Sequence, residues 1–360
     1  MNCYLHIPFC RRKCGYCAFY SLPSPRADEI AAYLDHLEQT LPELPEPPET
    51  IYLGGGTPTL LTERELERLF SLLRKRWRPD ARCEITVEAN PETLTGGKIA
   101  LIRDFATRLS LGVQSFAPVL RKTLGRDCSQ HALDQSLQLV RDASFPHWNC
   151  DLIYAVPGET MTQWENDLRQ AAETGADHLS CYSLTAEEGA RLAPRWKLDD
   201  DFSAACWQTA GVLLGEHGIQ RYEISNYARA GAECRHNRNV WRGGLLKGFG
   251  PAAASFDGAV RTKSPDSLSA WLAGTAPERD EIPRAARLDE IFAVQLRTAE
   301  GWTPESWRAV PHADEWEARL AKIEAILPEI PPEWIAFSPE RITLNDSGLL
   351  FWDTIAELIL

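Results

Sequence analysis

The sequence predicts an α/β fold in which parallel strands curve into a barrel or partial barrel, followed by a smaller α+β, winged-helix-like domain. Three observations predict it. Strand-like and helix-like segments alternate from the start of the chain to about residue 185. Short glycine-rich or polar motifs follow the ends of these strands, where α/β barrels carry their sites. Towards the end, the pattern changes to helices and a hairpin.

The first part of the chain contains six strand-then-helix units. A strand that returns to a parallel neighbour does so through a right-handed crossover, so such units build a parallel sheet. The strand-like segments are 3–7, 51–53, 84–88, 108–113, 150–153 and 178–183. The helical patterns between them are 28–41, 63–77, 98–104, 132–143 and 162–174.

The pattern changes after Pro194, where a polar link at 196–201 leads into a helix at 202–217. An extra strand is expected over 221–227. Residues 243–250 are rich in glycine. The tail is expected to contain helices near 287–297 and 312–327, a hairpin at 334–337 and 341–344, and a turn at 345–348 into a last helix. We therefore expect three parts: a barrel at 1–200, a barrel-associated extension at 201–283 and the winged-helix-like domain at 284–360.

Charge and hydropathy narrow the class of protein. The 360 residues carry a net charge of -13, which argues against nucleic acid as a partner, because its phosphates would be repelled. The sequence shows no run of eighteen apolar residues and no signal segment, so we expect a soluble, unexported, cytoplasmic protein. Peripheral contact with a membrane and a homodimer stay open.

Three of the ten cysteines form a CxxxCxxC motif at Cys10, Cys14 and Cys17. The other seven are scattered, as expected for free thiols in a reducing compartment. Structural zinc takes four protein ligands, so three thiols favour a metal with an open position, as in a cubane iron-sulfur cluster. The alternative is a zinc knuckle completed by His6 or Cys3.

Further motifs follow the later strands, namely Gly54-Gly55-Gly56-Thr57-Pro58, then residues 88–91 and 112–115. With the cysteines, they resemble the radical S-adenosylmethionine superfamily, specifically its oxygen-independent coproporphyrinogen III oxidase-like branch, over nearly the whole chain. The resemblance implies a TIM-like partial (β/α)6 barrel. It also implies one 4Fe-4S cluster per chain on the three cysteines, with S-adenosylmethionine on the open iron and a radical generated from it.

By the same resemblance, a set of residues contacts S-adenosylmethionine. The glycines allow carbonyl groups to face its ammonium group, and a carboxylate suits an ammonium or a ribose hydroxyl. Simpler alternatives are a core tyrosine at position 4, a solvated glutamate at 88, a surface ion pair for the arginine and a hydrogen-bonded His6 under the cysteine loop. The implied contacts are Tyr4, Gly55, Gly56, Thr57, Glu88, Gln114, Arg126 and Asp151.

A separate constellation is His236-Asn237 with Trp241. It resembles an HNxxYW signature in the heme-chaperone members of the branch, although Val240 replaces the tyrosine. A histidine can ligate heme iron and an indole can pack on a porphyrin. His236 is therefore a candidate heme ligand, with a plain structural histidine as the alternative.

Two functions of different classes follow from the resemblance: an oxygen-independent coproporphyrinogen III oxidase, and a carrier that binds heme and passes it to apo-hemoproteins. By this resemblance, the true oxidases carry a CxxxCxxCxC motif and a long segment before the first strand. Here Phe19 stands in place of the additional cysteine, and the first strand begins at residue 2 or 3. Both differences favour the carrier. A radical enzyme with another substrate is a third hypothesis, and a flavodoxin or ferredoxin is the expected electron donor.

Overall fold

The computed structural model describes residues 1–185, 190–192 and 199–360. Residues 196–198 of the predicted polar link therefore lie outside the described residues, and its residues 200–201 belong to a helix. Six parallel strands form the centre of the fold, within a few residues of the predicted segments. They are β1 (Asn2–Ile7), β2 (Thr50–Gly55), β3 (Glu84–Ala89), β4 (Arg108–Gln114), β5 (His147–Tyr154) and β6 (His178–Ser183).

Helices connect these strands and cover the sheet. In α2 the first turn is closed by reciprocal bonds between Thr62 and Glu65, and apolar residues at three- and four-residue spacing face the sheet. Among the described helices, none is long and apolar enough to cross a membrane. The helices of this part are α1 (Ala27–Thr40), α2 (Glu63–Trp77), α3 (Gly96–Phe105), α4 (Pro118–Thr123), α5 (Gln130–Ala143), α6 (Met161–Glu173) and α7 (Asp200–Glu216).

The strands alternate between an apolar face and a polar face. Residues such as Ile51, Leu53 and Val87 are buried in the hydrophobic core. Their neighbours in sequence, such as Tyr52 and Glu88, line cavities inside the barrel instead. Because side chains alternate along a strand, the same six strands supply both a packed exterior layer and a polar interior.

The sheet extends beyond the predicted six strands at both edges. Its order is β12-β11-β10-β9-β1-β2-β3-β4-β5-β6-β8-β7. Strand β9 is parallel to β1, and the remaining additions are antiparallel. The predicted partial barrel is thus confirmed, with added strands on each side. The additions are β7 (Gln220–Arg221), β8 (Asn226–Ala228), β9 (Leu246–Phe249), β10 (Ala254–Phe256), β11 (Val260–Lys263) and β12 (Glu278–Glu281).

One local prediction was wrong. The single strand expected over 221–227 is a hairpin, because Glu223 accepts bonds from the backbone of Ser225 and the side chain of Asn226 and turns the chain. The glycine-rich stretch, for which no element was predicted, contains the strand β9. Its Gly248 lies so close to β10 that a Cβ would stand 2.2 Å from the Ala254 carbonyl oxygen.

The tail folds as predicted into helices around one hairpin, with Phe292, Trp302 and Trp307 in its core. The part boundaries at 200 and 283 stay predictions. The hairpin strands are β13 (Ile335–Ser338) and β14 (Arg341–Leu344). The remaining helices are α8 (Arg235–Trp241), α9 (Leu268–Leu272), α10 (Arg284–Gln295), α11 (Pro304–Arg308), α12 (Trp316–Ile326), α13 (Asp346–Leu350) and α14 (Trp352–Ile359).

Candidate cofactor site

A cavity of about 410 Å³ opens at the carboxyl ends of the barrel strands. Its volume suits a small organic ligand. Among the described residues, the structure brings all the predicted site residues except Tyr4 and His236 to its wall. Those that line it are Cys10, Cys14, Cys17, Gly55, Gly56, Thr57, Glu88, Gln114, Arg126 and Asp151.

The three cysteines lie on the loop after β1. The loop is closed where Phe9–Cys10 pairs with Leu22–Pro23. Cys10 Sγ lies 3.6 Å from Thr57 Oγ1, and Cys14 Sγ lies 3.7 Å from Arg126 Nη1. Burial raises the pKa of Cys17 to about 11, so metal binding there must displace a proton.

In the part of the chain that the structure describes, no three His, Cys, Asp or Glu side chains are arranged to hold a metal ion, so this finding favours neither zinc nor an iron-sulfur cluster. Cys3 is fully buried in the core on β1. His6 donates from Nε2 to the Tyr20 carbonyl oxygen at 2.9 Å, so its Nδ1 accepts from Tyr4, 3.1 Å away. His6 is thus the hydrogen-bonded histidine under the loop.

The glycine triplet lets three segments approach one another. Gly55 has a φ of +102°, and a Cβ there would stand 2.5 Å from the His6 ring. A Cβ on Gly54 would stand 2.8 Å from the Glu88 carboxyl group, and one on Gly56 would stand 2.7 Å from the Phe9 carbonyl oxygen. Side chains at these positions would separate β2 from the cysteine loop and from β3.

Glu88 ends β3 on the cavity wall. It accepts a hydrogen bond from the Tyr52 hydroxyl at 2.8 Å and one from the Gly55 backbone at 3.2 Å. Burial, with a smaller contribution from the carboxylate of Asp151, raises the pKa of Glu88 to about 7. Two hydrogen bonds orient the carboxylate, which excludes the alternative of a freely solvated loop charge.

Asp151 faces Glu88 from β5. Ser110 donates to its Oδ2 at 3.1 Å, and Asn149 donates to its Oδ1 at 2.6 Å. Burial raises the pKa of Asp151 to about 6. The site thus contains two buried carboxylates, which suit an ammonium group or sugar hydroxyls.

Gln114 at the end of β4 and Arg126 in the loop after α4 also line the cavity. Gln114 has a φ of +69° beside a register shift in β4, which directs its side chain to the cavity. Arg126 is buried and donates from Nη2 to Asn90 Oδ1 at 2.6 Å and to the Gly112 carbonyl oxygen at 2.8 Å. Its Nη2 lies 3.9 Å from Glu92 Oε2, and both side chains are largely buried, so Arg126 is not a surface ion-pair residue.

Tyr4 and His236 lie elsewhere. Tyr4 is not among the described residues that line the cavity, and its hydroxyl is used by His6. His236 is 6% exposed on α8, at the amino-terminal ends of the strands, where its Nδ1 lies 2.7 Å from Thr50 Oγ1. The structure therefore separates the candidate heme ligand from the cysteine loop by the length of the barrel.

Sequence reasoning missed several cavity residues. Asn90 bonds both Thr57, at 2.8 Å, and Arg126, and its position two residues after Glu88 in the third motif was the available signal. Tyr52 and Tyr182 also line the cavity, but their strand positions fit core tyrosines equally well. Phe19 lines its mouth and is 71% exposed.

Comparisons with known proteins agree with this geometry. Residues 4–171 match the model of the Radical SAM superfamily. The chain is 33% identical to a heme chaperone HemW of Mycobacterium tuberculosis, over 99% of this chain and 94% of that protein. It is 32% identical to a heme chaperone HemW of Bacillus subtilis, over 83% of this chain and 84% of that protein.

Among solved structures, coproporphyrinogen III oxidase (HemN) from Escherichia coli, described as a radical SAM enzyme, matches with a TM-score of 0.83. The match covers 99% of this chain and 89% of that chain, at 22% identity. At this identity, the likeness supports the fold of the chain and not its reaction.

Proposed function

Since the chain belongs to the radical SAM superfamily and, within it, to the family of the proteins named heme chaperone HemW, we propose that it carries heme and transfers it to apo-hemoproteins. The observation that carries the proposal is the similarity to such proteins over 99% of this chain. Phe19 supports it, because the motif that the oxidases of the branch carry has a cysteine at the corresponding position.

We also propose that Cys10, Cys14 and Cys17 hold one 4Fe-4S cluster, with S-adenosylmethionine beside it. The donor set fits, because three thiols share one cavity with two oriented carboxylates and a buried guanidinium. When bound, the pair supplies one-electron reductive chemistry at the sulfonium. An electron donor such as a flavodoxin or ferredoxin would be required.

The residues of the cavity have distinct roles in this proposal. Glu88 and Asp151 bind the ammonium group and the ribose hydroxyls, and Gly55 and Gly56 present backbone groups to the ligand. Thr57 and Gln114 add hydrogen bonds, and the charge of Arg126 offsets that of the Cys14 thiolate. Tyr4 would act through His6, under the cysteine loop, rather than by direct contact.

Heme ligation by His236 stays a prediction that the conformation does not favour. The ring is buried, its Nδ1 is used by Thr50, and the residue is packed 5.1 Å from the Tyr52 ring. A heme iron could reach it only if α8 moved away from the barrel. Heme affinity of His236→Ala decides the matter, and unchanged affinity would remove this histidine from the heme site.

The alternative is an oxygen-independent coproporphyrinogen III oxidase or another radical enzyme of porphyrin metabolism. The observation in its favour is that the thiols, the carboxylates and Arg126 line one cavity. Phe19 counts against the oxidase. Product formation from coproporphyrinogen III under anaerobic conditions, at a rate sustained over many turnovers, would reverse the choice.

The test of the proposed function is heme transfer. Anaerobically reconstituted protein is titrated with heme by visible absorption, and the complex is mixed with an apo-hemoprotein. We expect stoichiometric heme binding and transfer, with about four irons per chain in the wild type. A Cys10→Ala/Cys14→Ala/Cys17→Ala variant should lose the iron, whereas Cys128→Ala, at another partly exposed cysteine, should keep it. Absence of heme binding, or stoichiometric zinc in place of iron, would contradict the proposal.

A further inference from the structure

A row of hydrogen bonds between buried and half-buried groups crosses the barrel interior from Asp151 to the start of α8. Asn149 Nδ2 lies 2.6 Å from Asp151 Oδ1, and Asn149 Oδ1 lies 2.7 Å from His178 Nδ1. His178 Nε2 lies 2.8 Å from the Tyr222 hydroxyl oxygen. That oxygen accepts from the backbone N–H of Cys234 at 3.3 Å.

The chemistry of the partners fixes the direction of every bond. An ionised Asp151 only accepts, so the Asn149 amide must direct its NH2 group to Asp151 and to Ser110 Oγ, 2.7 Å away. The Asn149 oxygen then faces His178, whose Nδ1 must carry the proton. Burial lowers the pKa of His178 well below its ordinary value, so the ring is neutral and Nε2 accepts from Tyr222.

Every hydrogen-bond donor in this row of bonds therefore points towards Asp151. Bonds in such a row polarise one another, and the effect is largest where water is excluded. Asn149 and His178 are 4% and 2% exposed. Together with Asp151 and Cys234, they line a cavity of only about 20 Å³ below the main one, room for about one water molecule. The row of hydrogen bonds is thus placed to stabilise the charge on Asp151.

We propose that His178 is a positioning residue that acts through Asn149 to hold Asp151 ionised and oriented in the cofactor cavity, and that it links this carboxylate to α8. The inference rests on the proposed function, in which Asp151 contacts S-adenosylmethionine. Nothing in the 178–183 segment of the sequence marks His178 as part of the site, because it lies at the far end of its strand from the cavity.

Other groups also face Asp151, and the test must separate their effects. The hydroxyl of Ser110 donates to it, and Arg126 lowers its pKa. Glu88, Tyr52 and Tyr182 interact with its charge across the cavity. These groups are unchanged in variants of His178, so they provide a constant background.

The experiment compares His178→Leu with His178→Gln in the reconstituted protein, by calorimetric titration with S-adenosylmethionine from pH 5.5 to 8.5. Leucine interrupts the row of hydrogen bonds at position 178, whereas the glutamine amide can donate to Asn149 and accept from Tyr222. For leucine, we expect the pH midpoint of binding to rise by about one unit, with binding about tenfold weaker at the acidic end and unchanged at pH 8.5. Glutamine should restore most of the wild-type profile.

Tyr222→Phe is a milder variant that removes only one hydroxyl group. We expect it to shift the midpoint in the same direction by a smaller amount. Tyr227→Phe is the matched control, because its hydroxyl is also buried but accepts from Arg221, 3.1 Å away, outside the chain of bonds. A loss of affinity that is equal at all pH values, or equal in both tyrosine variants, would overturn the inference.

A readout that needs no cofactor keeps the two proposals apart. The pKa of the Asp151 carboxyl can be followed by carbon NMR in the cofactor-free wild type and in Tyr222→Phe. A higher pKa in the variant supports the inference even if S-adenosylmethionine does not bind, which would contradict only the proposed function. The same pKa in both proteins contradicts the inference.

Discussion

At the scale of single residues, two glycines with left-handed backbone conformations occupy different surroundings. Gly55 has a φ of +102° and Gly158 a φ of +80°. A Cβ on Gly55 would stand 2.5 Å from the His6 ring, whereas no atom of the described residues lies within 4 Å of that position on Gly158. Substitution of each glycine by alanine therefore separates the free-energy cost of backbone strain from that of a steric collision.

We expect Gly158→Ala to lower the free energy of unfolding by about 1 kcal/mol, since only the backbone conformation is disfavoured. Gly55→Ala should lower it by about 2 to 4 kcal/mol, because the ring of His6 must also move away from the cysteine loop. Urea unfolding of the cofactor-free variants measures both. Equal losses would show that His6 can shift freely.

Residue chemistry alone located many of the groups that line the cavity. Cysteines at fixed spacing, a glycine triplet and a carboxylate at a strand end limit the chemistry of a site, so Cys10, Glu88 and Asp151 could be selected. Asn149 and His178 could not, because their role arises from bonds between strands that are distant in sequence. His236 was selected on a motif, and its burial under the barrel depends on the packing of α8.

At the scale of elements, α8 is held to the barrel by a carboxylate from another part of the chain. Glu84 of β3 accepts bonds from the backbone of Arg235 at 3.1 Å and of His236 at 2.9 Å, the first residues of the helix. Its Oε2 also lies 3.6 Å from Nε of the buried Arg108. Glu84 thus caps the helix and compensates a buried positive charge.

A double-mutant cycle tests this arrangement. Glu84→Gln should lower the free energy of unfolding by about 3 kcal/mol, because Arg108 is left buried without its counter-charge. Arg108→Met should cost a similar amount, and the double variant should cost well below the sum. The exposed pair Arg74–Asp104, 2.6 Å apart, is the control, with an expected coupling below about 1 kcal/mol. Additive losses at Glu84 and Arg108 would contradict the pairing.

The elements that were predicted well have a strong local pattern. The six central strands are runs of apolar and β-branched residues between turn signals, and α2 carries its own capping residues. Strand β9 has neither, since Gly248 interrupts it and its stability comes from pairing with β1. The turn at Glu223 was likewise set by side-chain bonds rather than by glycine or proline.

At the scale of the whole molecule, buried carboxyl groups make stability depend on pH. Burial raises the pKa of Glu159 to about 7 and that of Asp167 to about 6, as it does for Glu88 and Asp151. A folded state with raised carboxyl pKa values binds more protons than the unfolded state, so its stability falls as pH rises through this range. Buried neutral histidines act in the opposite sense below pH 6.5, so single variants must be compared with the wild type.

Glu159→Gln isolates one such contribution outside the cofactor cavity. We expect the variant to gain about 1 to 3 kcal/mol over the cofactor-free wild type between pH 5 and pH 8, because it has no charge to bury. Urea unfolding across this range measures the difference. Glu173→Gln, at an exposed position on α6, should show no such trend. A constant difference for Glu159→Gln would mean that the carboxyl group keeps its ordinary pKa.

The position of β1 has a consequence for synthesis of the protein. This strand carries the cysteine loop, yet it pairs on one side with β2 and on the other with β9, residues 246–249. On the ribosome, one of its edges must wait until that much of the polypeptide has emerged. Until then, β1 has one unpaired edge that favours aggregation, and the cysteine loop gains its full support only after translation has passed β9.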